Sequence, residues 1–194
     1  MQNGMDLDAV EVRVLGCLLE KQRTTPDQYP LSLNALRLAT NQSTSRDPVV
    51  DYDEGTIRQA LDKLGRRGWT RLASGPGSRA AKFRHLLDEA LQLTPSQLAV
   101  LAVLMLRGPQ TVAELRVRSE RLYPFASTED VETTLRELAG RELVEEGARH
   151  RWRQLLGDDE EAAPASPAPP SPDLEERVAE LERIVAELRQ RLDG

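Results

Sequence analysis

Eight cationic side chains fall within one stretch of the chain: Arg58, Lys63, Arg66 and Arg67, followed by Arg71, Arg79, Lys82 and Arg84. Guanidinium and ammonium groups at this density can neutralise phosphate oxygens, the sequence-independent part of duplex DNA binding. If six of them met phosphates, binding would fall with salt along a log-log slope of about -5. Carboxylates share the stretch: Asp51, Asp53, Glu54 and Asp62. The first three fall at the start of a helix, where base-reading side chains usually sit and where a carboxylate would meet phosphate. Their other role is favourable interaction with the helix dipole. An ordinary solvated face is the competing reading of the cations, because residues 1–88 carry 13 Lys and Arg against 11 Asp and Glu.

Other chemistries have less to work with. His85 and His150 are the only histidines; neither has a second metal ligand at a standard spacing, and both read as exposed residues near the ends of strands. Gly75-Pro76-Gly77 lacks the Lys-Ser/Thr that completes a phosphate-binding loop and reads as a turn. Cys17 is the single cysteine, so neither an intramolecular disulfide nor a cysteine-based metal site can form, and it reads as a small buried hydrophobe. The run Asp158 to Glu161 reads as solvated carboxylates rather than a preorganised metal site. No Ser or Cys nucleophile can be paired with a base. A non-enzyme without catalytic residues, metal or cofactor is expected.

The elements that must position the cations follow from spacing. Ile57, Ala60, Leu61 and Leu64 stand at i, i+3, i+4 and i+7, one apolar face of a helix that Gly65 and Gly68 end. Trp69 to Ala73 and Ala80 to His85 then pair as strands across Ser74-Gly75-Pro76-Gly77-Ser78. A helix running into a two-stranded wing is the working end of a winged helix-turn-helix. The unit recurs: Ile57, Leu61, Leu64, Arg67 and Trp69 align without a gap with Val131, Leu135, Leu138, Arg141 and Leu143. Leu36-Arg37 likewise matches Leu115-Arg116, and Leu15 to Leu19 matches Leu101 to Met105. Two tandem domains explain the repeat, over residues 1–88 and 89–156. The expected fold class is mainly α with small β-hairpins (α+β).

In the first domain Asp8 and Glu11 form a capping box for a helix ending near Gln22, and Ser32 starts a second helix that runs to about Asn41. Pro26, Tyr29 and Pro30 make the intervening segment an ordered loop pinned by the tyrosine ring. In the second domain Thr94-Pro95-Ser96-Gln97 starts a helix apolar nearly all round, which suits packing against domain one. Thr111-x-x-Glu114 and Ser127-x-x-Asp130 start the next two, and Leu143 to Gln154 forms a shorter wing turning at Glu146-Gly147-Ala148. Glu129, Asp130, Glu132 and Glu137 make this domain's third helix acidic, which suits a protein partner better than DNA.

The net charge of -6 is concentrated at the end of the chain, where residues 157–194 carry 4 Lys and Arg against 11 Asp and Glu. Residues 157–172 are an acidic, Pro-rich linker of low complexity. Over 173–194 the seam Leu174, Val178, Leu181, Val185, Leu188 and Leu192 alternates steps of four and three, the heptad of a coiled coil that self-associates or docks on a partner protein. Met1 to Val10 has neither a basic nor an apolar signal region, and Leu98 to Leu106 is too short to span a bilayer. A cytoplasmic protein without a membrane partner is expected.

Several runs resemble a known family. Leu19-Glu20-Lys21-Gln22, Thr24-Thr25-Pro26, Gln28-Tyr29-Pro30-Leu31-Ser32, Asn41-Gln42 and Arg46-Asp47-Pro48-Val49 are similar to the signature of the bacterial YceH-like family. Leu106-Arg107-Gly108-Pro109-Gln110-Thr111 and Glu114-Leu115-Arg116 resemble its second half, with Val112-Ala113 where Pro-Gly is expected. The resemblance covers about residues 6–153 and implies tandem winged-helix domains in a cytoplasmic bacterial protein. It implies no biochemical activity. The functional expectation is therefore a DNA-associated, regulator-like protein that contacts duplex through the third helix and wing of domain one. The alternative is a protein-protein adaptor that works through domain two and the coiled coil without touching DNA.

Overall fold

The computed structural model describes residues 6–73 and 80–157. Arg79 with the turn around it, the linker beyond Gly157 and the heptad seam Leu174, Val178, Leu181, Val185, Leu188 and Leu192 lie outside the described residues.

Helix α1 (Ala9–Thr24) starts as its sequence dictates. The Asp8 carboxylate accepts from the Glu11 N–H at 2.8 Å, and the Glu11 carboxylate accepts from the Asp8 N–H at 3.0 Å. A turn of 3-10 helix at Pro26–Gln28 leads into strand β1 (Leu31–Ser32) and helix α2 (Leu33–Thr40), which Ser32 caps. Asp53 caps α3 (Glu54–Arg66), its carboxylate accepting from Thr56 N–H at 2.7 Å. All four apolar positions of the 3.6-residue pattern, Ile57, Ala60, Leu61 and Leu64, are buried. Gly68, at φ 75°, turns the chain in the left-handed region that other residues avoid.

Strands β2 (Thr70–Leu72) and β3 (Lys82–His85) then form an antiparallel hairpin. β1 adds to the free edge of β3, giving the order β1-β3-β2 with Leu31 opposite Phe83. A short helix α4 (Leu87–Leu91), which the sequence pattern did not announce, leads to α5 (Pro95–Arg107). Reciprocal capping boxes start α5 at Thr94 and Gln97, α6 (Val112–Ser119) at Thr111 and Glu114, and α7 (Thr128–Ala139) at Ser127 and Asp130. A second hairpin, β4 (Val144–Glu146) and β5 (Trp152–Gln154), closes the fold, and Gln110 pairs with Trp152 through two backbone hydrogen bonds of 2.7 and 2.9 Å. Over the described residues the chain is therefore a mixed α+β fold in which helices carry two small antiparallel sheets.

One hydrophobic core runs through the described residues, with α1 lying along α5. Every residue of α5 from Gln97 to Leu106 is buried, which accounts for its apolar character on all sides. At Gly16 the two helices come so close that a Cβ would stand 3.0 Å from side-chain atoms of Met105 and Leu106. Each fully buried leucine here, such as Leu15, Leu18, Leu101 or Leu104, contributes about 2 kcal/mol by removal from water. Among the described residues no helix is long and apolar enough to cross a membrane.

Candidate nucleic-acid interface

Burial of Ile57, Ala60, Leu61 and Leu64 fixes which side of α3 faces outward: Arg58, Gln59, Asp62, Lys63 and Arg66 are all exposed. Two of the four carboxylates that threatened to neutralise these cations are used locally, while Glu54 and Asp62 stay exposed on α3 beside them. Asp53 is the helix cap, and Asp51 accepts from the Asn41 side-chain amide at 3.2 Å. Neutralisation comes from another direction. Lys63 Nζ lies 2.6 Å from Asp8 Oδ2 at the start of α1, a hydrogen bond that raises the lysine pKa. Arg67 donates to the Asp6 carbonyl at 2.8 Å, and its Nε lies 3.9 Å from Glu11 Oε1.

Strand parity settles the β2-β3 hairpin. Thr70 stands opposite His85, Arg71 opposite Arg84 and Leu72 opposite Phe83, so Arg71 and Arg84 form a directly facing cationic pair on one side of the sheet. Arg84 is partly compensated by Glu89 on α4, at 3.1 Å. Lys82 shares Arg84's side of the strand and is exposed. Among the described residues Arg58, Arg66, Arg71 and Lys82 have no ion-pair partner. The eight sequence candidates thus divide into four open cations, three engaged ones (Lys63, Arg67 and Arg84), and Arg79 outside the described residues.

The base of the β2-β3 hairpin overturns one expectation. His85 is 1 % exposed rather than solvated. Its N–H donates to the Tyr29 hydroxyl at 2.8 Å, its Nε2 lies 2.7 Å from Gln22 Oε1, and its Nδ1 accepts from the Leu87 N–H at 3.3 Å. Those partners assign the proton of a neutral ring to Nε2. Burial pushes the imidazole down to about 4, against a smaller upward pull from Asp88 at 3.5 Å. Burial also raises the Tyr29 phenol to about 12. A period of two counted forward from Phe83 was the available signal, since it places His85 on the inner face. His150 is 94 % exposed at its side chain, as expected, and pairs with Glu146 at 2.8 Å.

The connection between α2 and α3 is held by a second buried network. Arg46 grips Glu20 with two hydrogen bonds, of 2.6 and 3.1 Å, and donates to the carbonyls of Ala39 and Ser45. Burial pushes the Glu20 carboxyl up, yet the Arg46 hydrogen bonds and charge hold it below the usual range. Burial, against a smaller downward pull from Arg46, sends the Cys17 thiol the other way, up to about 11, and leaves it an inert core side chain. Asp47 N–H donates to Leu106 O at 2.9 Å, Arg13 donates to Pro48 O at 2.7 Å, and Asn41 holds Tyr52 by both its backbone groups.

Helix α7 of the second half differs from α3 in charge. Glu129, Asp130, Glu132 and Glu137 are all exposed on α7, and Glu137 accepts from Gln97 at 3.0 Å. On neighbouring α6 Val117 is 69 % exposed. Among the described residues no group of three or more His, Cys, Asp or Glu is placed to hold a metal ion.

An α+β chain that presents a capped helix and an adjoining cationic hairpin on one half, and an acidic helix on the other, is the class the geometry defines. The chain belongs to the family described as "Protein of unknown function, DUF480", whose profile matches residues 7–151. It is similar to a UPF0502 protein of Geotalea uraniireducens (strain Rf4), with 47% identity over 98% of this chain and 88% of the relative. It is also similar to UPF0502 proteins of Geotalea daltonii, 50% identical over 92% of this chain and 85% of the relative, and of Pseudomonas syringae pv. tomato, 43% identical over 97% and 91%. These relatives are bacterial, and their names carry no enzymatic activity.

Proposed function

We propose that the chain is a non-enzymatic DNA-associated protein built from two tandem winged helices, with α3 and the β2-β3 wing of the first half meeting duplex. The observation that carries this reading is the set of open cations, Arg58 and Arg66 on α3 with Arg71 and Lys82 on the wing, on two consecutive elements. In a winged helix those are the elements that reach the major groove and the flanking phosphates. The order β1-β3-β2 behind them supports the same assignment. Heptad spacing in the C-terminal sequence supports self-association or a partner protein as a second property.

Four phosphate contacts give a salt slope of about -3.6, shallower than all eight cations would produce. The test is fluorescence anisotropy of a labelled random duplex at several salt concentrations, with wild type and an Arg66→Ala, Arg71→Ala, Lys82→Ala variant. Binding that weakens along that slope, and flattens by about 0.9 per cation removed, supports the reading. No binding by the wild type at about 50 mM salt, where phosphate attraction is strongest, sinks it.

The adaptor reading draws on the acidic exposed face of α7 beside exposed Val117 on α6. It places protein contact on the second half, and it becomes the leading reading if the duplex titration fails.

A further inference from the structure

The first described residues form a short strap against the C-terminal end of α3. Leu7 is 1 % exposed, its N–H donates to Leu156 O at 3.1 Å, and it runs parallel to Gly157. A Cβ on Gly157 would stand 2.2 Å from the Leu7 carbonyl oxygen, so glycine is what permits this approach. The residues beside that anchor turn onto cations. Asp8 takes Lys63 at 2.6 Å, and the Asp6 carbonyl takes Arg67 at 2.8 Å. Glu11, only 2 % exposed, completes the group with Oε1 3.9 Å from Arg67 Nε. Together with Arg66 these residues line an open cleft of about 430 Å³.

Lys63 lies on the flank of α3's outward side, one residue from Asp62 and three from Arg66. A carboxylate placed on it does what a phosphate oxygen would do there, and does it at the effective concentration of an intramolecular contact. We propose that the Asp6–Asp8 strap is an intramolecular competitor of nucleic-acid phosphate, keeping Lys63 and Arg67 out of the footprint until Leu7 leaves Leu156–Gly157. This inference rests on the duplex reading above. It makes the anchoring of the two ends of the described fold a control on how many cations α3 presents.

The chain has three lysines, Lys21, Lys63 and Lys82, so limited acetylation followed by mass spectrometry reads Lys63 against exposed Lys82 without any DNA. Asp8→Asn removes the charge and keeps an equally good helix cap; Leu7→Ala removes the anchor and leaves the charge. In wild type, Lys63 is expected to react about threefold or more slowly than Lys82, and in both variants the two rates converge. Duplex binding by Asp8→Asn then tightens about three- to tenfold at low salt, and the salt slope steepens by about 0.9. Equal lysine rates in wild type would overturn the strap. Rates that converge in Asp8→Asn while affinity and slope stay at wild-type values would overturn the competition. Slow Lys63 acetylation in a protein that binds no duplex would defeat the duplex reading and the competition with it, while leaving the strap contact standing.

Discussion

Lowering the pH should loosen the base of the β2-β3 hairpin through His85 before most carboxylates protonate. The ring has an ordinary pKa of 6.5 and is held at about 4 in the folded chain. A folded-state value below the unfolded one means that the unfolded chain binds the extra proton between those two values. The stability contributed by the neutral ring is therefore complete above about pH 6.5 and is lost as pH falls toward 4. Between pH 7 and 4.5 the loss works out at about 2.4 kcal/mol, and the full shift is worth about 3 kcal/mol. The groups facing the ring do not reverse the sign. Asp88 and Glu89 on α4 favour the charged form, Arg84 on β3 and Arg23 on α1 oppose it, and burial outweighs them all. Urea unfolding of wild type and His85→Gln, followed by far-UV circular dichroism from pH 7 to 4.5, isolates the effect because the carboxylates are common to both proteins. The variant should be the less stable at pH 7 by about 1–2 kcal/mol for its disturbed hydrogen bonds, and the gap should close or reverse by pH 4.5. Parallel pH profiles for the two proteins would refute the reasoning.

Two stability predictions stand beside the duplex and strap experiments. Arg46→Ala leaves the Glu20 carboxylate, whose side chain is 15 % exposed, with only Lys21 at 3.4 Å as a charge partner, and should cost about 3 kcal/mol by urea unfolding; Arg46→Met combined with Glu20→Leu should cost less, since no carboxylate is left there without its guanidinium. Gly16→Val would push its added carbons into Met105 and Leu106, already 3.0 Å from the nearest Cβ position, and should lower stability by about 1–3 kcal/mol in a thermal or urea melt. A Gly16→Val protein as stable as wild type would mean that α1 and α5 are not packed this closely.

What could be read from the sequence was what local chemistry decides. A side chain three residues from its backbone partner leaves a local trace, so the boxes at Asp8, Thr94, Thr111 and Ser127 located four helix starts. The inner face of α3 was equally legible because its period is built into four positions on neighbouring turns. Contacts between distant residues leave no such trace. Lys63 meets Asp8 across 55 positions, Arg67 meets Asp6 across 61, and His85 meets Gln22 across 63. Charge counting alone therefore placed Lys63 and Arg67 in an open footprint, and residue type alone placed His85 in solvent. The two-residue strand β1 and the five-residue helix α4 were missed because neither is long enough to show a period.

Several of the runs that carry the family resemblance hold α3 and the β2-β3 hairpin in place. Glu20 and Arg46 secure the connection from α2 to α3, while Gln22 and Tyr29 secure His85 at the base of β3. That connection covers residues 41–53, far longer than the three or four residues usual in a helix-turn-helix. A longer loop closes at little extra entropic cost, but it does not by itself fix an angle between helices. Here the angle is fixed by anchors: Asn41 onto Tyr52, Arg13 onto Pro48, and Asp47 onto the end of α5. The last of these belongs to the second half, so the placement of α3 depends on a helix from the half that carries acidic α7. That half has a physical role in presenting α3 whether or not its own acidic surface ever meets nucleic acid.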